Sequence, residues 1–148
     1  MPNSILYENV DMGGRRFVVR DGENIPVIRP PLDGSASSLE TWGAGWVTFW
    51  ESINFDAKDD QLWIEDPANG DGWYIPNLHK LPRPHGNNHW GDRIRGVSHS
   101  GAPTGSNENR TIIHANRTVT VGNRHFTASE KEYSELGLEV LSLEGGKT

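Results

Sequence analysis

Bulky side chains along this chain come in short bursts, separated by glycine, proline, asparagine and aspartate. That is the pattern of short strands joined by tight turns. Residues 4–10 and 15–20 predict a first hairpin with Met12-Gly13-Gly14 in its bend, and Asp21-Gly22 marks a turn after it. Residues 25–28 read as the next strand, stopped by Arg29-Pro30-Pro31 because proline cannot donate to a ladder. The loop Asp33-Gly34-Ser35-Ala36-Ser37-Ser38 leads to a closing strand over 39–42. Trp46-Val47-Thr48-Phe49-Trp50 opens a second series, continued by 61–64 and, far downstream, by 94–98. The second series is the longer, and its excess falls between Ile64 and Trp90. An insertion of that size in a compact domain is usually functional or disordered; here Trp73 and Tyr74 predict an ordered surface feature.

Beyond residue 101 the pattern changes. Residues 102–109 are rich in Gly, Pro, Ser and Asn and read as a linker. Thr111-Ile112-Ile113-His114 and Thr118-Val119-Thr120-Val121 alternate as two strands around Asn116, and 124–127 follows the Gly122-Asn123 turn as a third. Ser129-Glu130-Lys131-Glu132 is a capping box, predicting a short helix with Tyr133 and Leu136 on one side and Gly137 as its cap. Residues 138–143 alternate once more. The expected division is a domain over 1–101, a linker over 102–109 and an appendix over 110–148. So small an appendix needs a partner surface to cover Ile112, Ile113, Val119, Val121, Phe126 and Leu138.

One pattern occurs twice. Tyr7-Glu8-Asn9-Val10-Asp11-Met12-Gly13-Gly14 is matched by Trp50-Glu51-Ser52-Ile53-Asn54-Phe55-Asp56-Ala57, with an aromatic, an acid, a second bulky residue and a small residue at equal offsets. Such an octet folds a hairpin back on itself, and the small residue (Gly14, Ala57) sits where the backbone approaches closely or needs an unusual dihedral. Ser37-Ser38 follows the first copy, and Trp90-Gly91-Asp92-Arg93-Ile94-Arg95 the second. Together these resemble the two Greek-key motifs of the βγ-crystallin family, with Met12 replacing the usual aromatic and Ala57 the usual glycine. The resemblance covers about residues 3–101. It implies an all-β sandwich of two Greek keys, followed here by a small hairpin-plus-helix appendix. Domains of that family serve as lens proteins, calcium binders, proteinase inhibitors and assembly parts, so the fold alone selects no function.

The resemblance also implies calcium loops, each with two Asn/Asp positions followed by Ser/Thr-Ser. The first loop here has glycine in the second acidic place, and the second, Gly91-Asp92-Arg93-Ile94-Arg95-Gly96, keeps one acid and no serine. By resemblance, Ser37 with the backbone of Asp92 and Arg93, near Glu8, forms one possible site. Its mate would combine Asp33, Ser35 and Glu51 with Arg95 where a hydroxyl is needed. A guanidinium donates no oxygen and adds positive charge, so that site is expected to be dead or filled by an Arg95 salt bridge. At most one weakly bound calcium is expected.

Composition narrows the field. A length of 148 residues fits one domain with a real core, and most of the six tryptophans are expected inside it. The net charge of −6 argues against nucleic acid as main partner, and no apolar run is long enough for a membrane span. With no signal-peptide pattern and no cysteine, the chain is expected to fold in a reducing cytoplasm, with a virion as one further destination. Gly145-Gly146-Lys147-Thr148 lacks the earlier glycine and the helix of a phosphate loop, and Ser98-His99-Ser100 lacks the frame of a nucleophile elbow. His79, His85 and His89 could hold a metal with Asp92, but two prolines and a glycine leave their geometry unfixed. The carboxylates show no apolar setting suited to acid–base work. The expected protein is therefore non-enzymatic, a structural or accessory (decoration-type) component of an assembly such as a phage virion, with protein partners or copies of itself. Its contact residues are expected at Trp73, Tyr74, His79, His85, His89, Ile112, Ile113 and Val121. The alternatives are a calcium-binding crystallin and a proteinase inhibitor presenting residues 66–89.

Overall fold

The computed structural model describes residues 2–20, 22–30, 32–66, 72–84, 89–99, 101–116, 118–122, 124–127 and 139–141. Its strands are β1 Asn3–Tyr7, β2 Arg16–Val19, β3 Ser38–Trp42, β4 Gly45–Trp50, β5 Gln61–Asp66, β6 Gly72–Ile75, β7 Gly96–Ser98, β8 Arg110–Ile113, β9 Thr118–Val121, β10 Arg124–Thr127 and β11 Glu139–Leu141. They form two sheets, one ordered β11-β6-β3-β1-β2 and the other β10-β9-β8-β5-β4-β7. The expected helix over 129–137, with its capping box, lies outside the described residues, as do His85 and the Gly145–Thr148 tail.

The connectivity is that of two Greek keys with exchanged third strands. In the first unit β1, β2 and β3 share a sheet, while the intervening segment crosses over and pairs Ile25 with Val97 in the other. The second unit keeps β4, β5 and β7 together and sends β6 across to pair with β3. Two of the expectations are corrected here. The expected strand over 25–28 is only a bridge at Ile25, because Pro26 lacks the N–H that would continue a ladder. Residues 72–75, read as part of an insertion, are the true third strand of the second unit.

The repeated octet has a matching backbone. Asp11 and Met12 have φ of 55° and 61°, and Asn54 and Phe55 have φ of 58° and 55°. Two consecutive left-handed residues without a glycine are costly. The fold compensates with paired hydrogen bonds, Asp11 N–H to the Pro76 carbonyl (2.8 Å) and Asn54 N–H to that of Pro26 (2.9 Å). Gly14 takes φ +77°, and a Cβ there would lie 2.7 Å from Asn9 Nδ2. Ala57 has no such dihedral, which is why alanine is tolerated there.

The core follows the period-2 alternation. Across the second sheet the rows Val97–Phe49–Leu62–Thr111–Val121 and Val47–Ile64–Ile113–Val119 point inward. Facing them are Leu6, Leu39, Trp73 and Ile75 of the first sheet, all in one cluster. Each such side chain contributes about 1.5–3 kcal/mol by burial. These rows run from the crystallin-like strands into β8 and β9 without a break. β8 pairs with β5 in parallel, a partnership that no local pattern announces. The exposed positions expected for Ile112, Ile113 and Val121 are corrected: they are 2%, 0% and 1% exposed. The surface that the C-terminal strands needed is the sandwich itself.

Candidate functional site

The two connecting loops meet across a local pseudo-two-fold axis. Gly34 N–H donates to the Ile94 carbonyl (2.9 Å) and Asp92 N–H to that of Ala36 (3.0 Å), with Ala36 and Ile94 both buried. Gly34 and Asp92 share a left-handed φ of 65° and 60°. Ser37 and Arg95 correspond as well: their N–H groups donate to the carbonyls of Tyr7 and Trp50, and their carbonyls accept from Leu78 and Ile28. Where the sequence repeats, so does the hydrogen bonding.

Glu8 is half-buried, and its carboxylate faces the Arg15 N–H at 3.4 Å. The Ser37 hydroxyl lies 3.1 Å from His79 Nε2. Asp92 and Arg93 are exposed, as are Asp33 and Arg95, while Ser35 is half-buried. Arg95 Nη1 donates to the Glu51 main-chain carbonyl at 3.1 Å. Glu51 itself turns its carboxylate elsewhere, to the guanidinium of Arg83. Arg83 is 6% exposed and also lies 3.6 Å from Asp60. This buried ion cluster fastens the insertion to both ends of the second hairpin. It was not expected from sequence, because an arginine between Pro82 and Pro84 in a polar stretch reads as solvated.

Other described residues of the insertion are anchored too. Leu78, Leu81 and Trp90 are fully buried, and Thr111 of β8 donates its hydroxyl to the Pro82 carbonyl (2.8 Å) while accepting from Trp90 Nε1 (3.0 Å). Trp73, expected at a contact surface, is 1% exposed on the inner side of β6, with Tyr74 half-buried opposite it. His79 and His89 come together with ring centroids 5.0 Å apart. Burial first, then the neighbouring His79, Arg93 and Arg83 hold the His89 pKa below its usual value. Among the described residues no group of three His, Cys, Asp or Glu is placed to hold a metal ion.

Buried polar pairs tie the strands together, His99 and Asp66 between the two sheets and Glu40 within the first. Ser4 of β1 bonds His99 Nε2 at 2.9 Å, and His99 Nδ1 lies 3.1 Å from the Arg20 carbonyl. A carbonyl only accepts, so Nδ1 carries the proton and Nε2 accepts from Ser4. Tyr7 donates to Glu40 at 2.5 Å, and burial followed by that carboxylate raises the tyrosine pKa. Thr41 donates to Asp66 Oδ1 at 2.7 Å, and burial pushes the Asp66 pKa up to about 8. A folded-state pKa above the unfolded value means stability that is present in acid and lost as pH rises from about 4 through about 8. Thermal melts are therefore expected to show lower stability at pH 9 than at pH 6. Asp66→Asn, which cannot ionise, should flatten that difference; an equal slope in the variant would exclude Asp66 as its source.

No family model and no curated protein matches the sequence. Among solved structures, the chain is similar to a βγ-crystallin from an archaeon (18% identity, TM-score 0.48, covering 67% of this chain and 98% of that one). It is also similar to a βγ-crystallin from Ciona intestinalis (16%, 0.47, 66% and 99%) and to the N-terminal domain of protein S (13%, 0.43, 69% and 99%). The fold is an all-β sandwich of two Greek keys. The strand exchange and the paired loops of this molecule carry that statement. No helix among the described residues is long and apolar enough to cross a membrane.

The calcium sites implied by the sequence resemblance depend on the oxygen donors that the two loops offer. Calcium takes six to eight oxygens. At the first loop the Ser37 hydroxyl is engaged by His79, and at the second a guanidinium stands where a hydroxyl oxygen is required. The donor sets do not fit.

Proposed function

We propose that this protein is a non-enzymatic building block of a larger assembly, of the accessory or decoration type found on phage virions, joined to protein partners or to further copies of itself. The observation behind this reading is the asymmetry of the sandwich. On one side both sheets are widened, by β11 in the first and by β8–β10 in the second. On the other side β2 and residues 25–28 remain as edges, joined by a short connection. They expose Val18 (40%) and Val27 (48%), with Arg16, Arg20 and Arg29 exposed around them. Open edges are templates for another chain, and a basic edge on a chain of net charge −6 suits an acidic surface such as that of a second copy.

Light scattering after size exclusion tests the reading. The native chain is expected to form a concentration-dependent oligomer, or to join its particle, and Val18→Lys with Val27→Lys should abolish this without lowering the melting temperature. A native chain that stays monomeric at all concentrations and enters no particle would sink the proposal.

A further inference from the structure

We infer that the chain closes both of its paired loops to calcium with side chains of its own, His79 at the first and Arg95 at the second. The loops are related by the reciprocal Gly34–Ile94 and Asp92–Ala36 hydrogen bonds, so each takes an equivalent place, here called its recess, beside a folded hairpin.

At the first recess the short 3-10 turn Leu78–Lys80 is tied on both flanks. Leu78 N–H donates to the Ser37 carbonyl (2.9 Å), and the Leu78 carbonyl accepts from Gly91 N–H (3.1 Å). The Asn77 side chain caps the turn by accepting from His79 N–H at 3.0 Å. These bonds hold the imidazole against Gly91. A Cβ added to Gly91 would stand 2.1 Å from His79 Nδ1. Only glycine leaves room for the ring, and the ring engages the Ser37 hydroxyl.

At the second recess the guanidinium of Arg95 lies over Gly34, 3.4–3.6 Å from where a Cβ would be. Its Nη1 takes the Glu51 carbonyl, an oxygen that a bound cation there would need. The Glu51 carboxylate is held by Arg83. A fixed positive charge thus occupies the recess, and repels a divalent cation.

Melting curves in EDTA and in millimolar calcium chloride give the test, with calorimetric titration of calcium alongside. For the native chain the curves are expected to coincide and the titration to be flat. The double variant Arg95→Ser, His79→Ala restores a hydroxyl at one loop and frees one at the other. It should melt at a lower temperature in EDTA and gain a calcium-dependent rise together with a saturable binding heat that the native chain lacks. Arg95→Lys keeps the charge and should stay silent. A calcium-dependent rise in the native chain overturns the inference. So does a double variant with a native-like circular dichroism spectrum that remains blind to calcium.

Discussion

Ending the chain at Gly101 is expected to unfold it, or to leave a collapsed state without a cooperative melt. The deletion removes Ile113, Val119 and Val121 from the core and strips the parallel partner from β5, leaving Leu62 and Ile64 at a raw edge. Lost burial at about 1.5–3 kcal/mol for each large side chain is comparable with the whole stability of a domain, about 5–15 kcal/mol. Thr111 leaves as well, so Trp90 Nε1 loses its acceptor and the insertion loses its tie at Pro82. Melting of residues 1–101 followed by circular dichroism checks this. A sharp transition near the native temperature would show that the C-terminal strands are dispensable, as the linker-like composition of 102–109 implies.

Replacing Arg83 by methionine is expected to cost about 3–5 kcal/mol, because it leaves the carboxylates of Glu51 and Asp60 without their common cation. The loss should come from uncompensated charge more than from packing. Adding Glu51→Gln and Asp60→Asn to Arg83→Met should therefore recover a large part of it, a coupling that a denaturant-unfolding cycle measures directly. If the triple variant is no more stable than the single, the arginine acts as packing and the charge argument fails. The effect should also appear as faster proteolysis of the insertion, since Arg83 is what fastens it to the second hairpin.

Much of the fold was legible because its signals are local. The duplicated octet encodes two consecutive left-handed residues at Asp11-Met12 and at Asn54-Phe55, and the alternation in Trp46-Val47-Thr48-Phe49-Trp50 encodes a strand with Val47 and Phe49 inward. Arg95 in a hydroxyl position could be read from donor chemistry alone, but its partner, the Glu51 main-chain carbonyl in place of the expected salt bridge, could not. The role of His79 was not legible either, because nothing near residue 79 in the sequence says that its ring will rest on Gly91.

What the sequence determined by itself was local: the first hairpin and its bend, and the inward parity of a strand such as β4, because these depend on neighbours a few residues away. Tertiary structure alone decided which strands share a sheet: the exchange of the Ile25 segment and β6, and the parallel seating of β8 on β5. It also turned Ile112, Ile113 and Val121 from an expected contact surface into core, and paired Glu51 with Arg83 across the fold. An apolar face specifies that it must be covered, and a buried carboxylate that it must be paired. Neither specifies by what, because that choice is made by contacts between residues far apart in the chain.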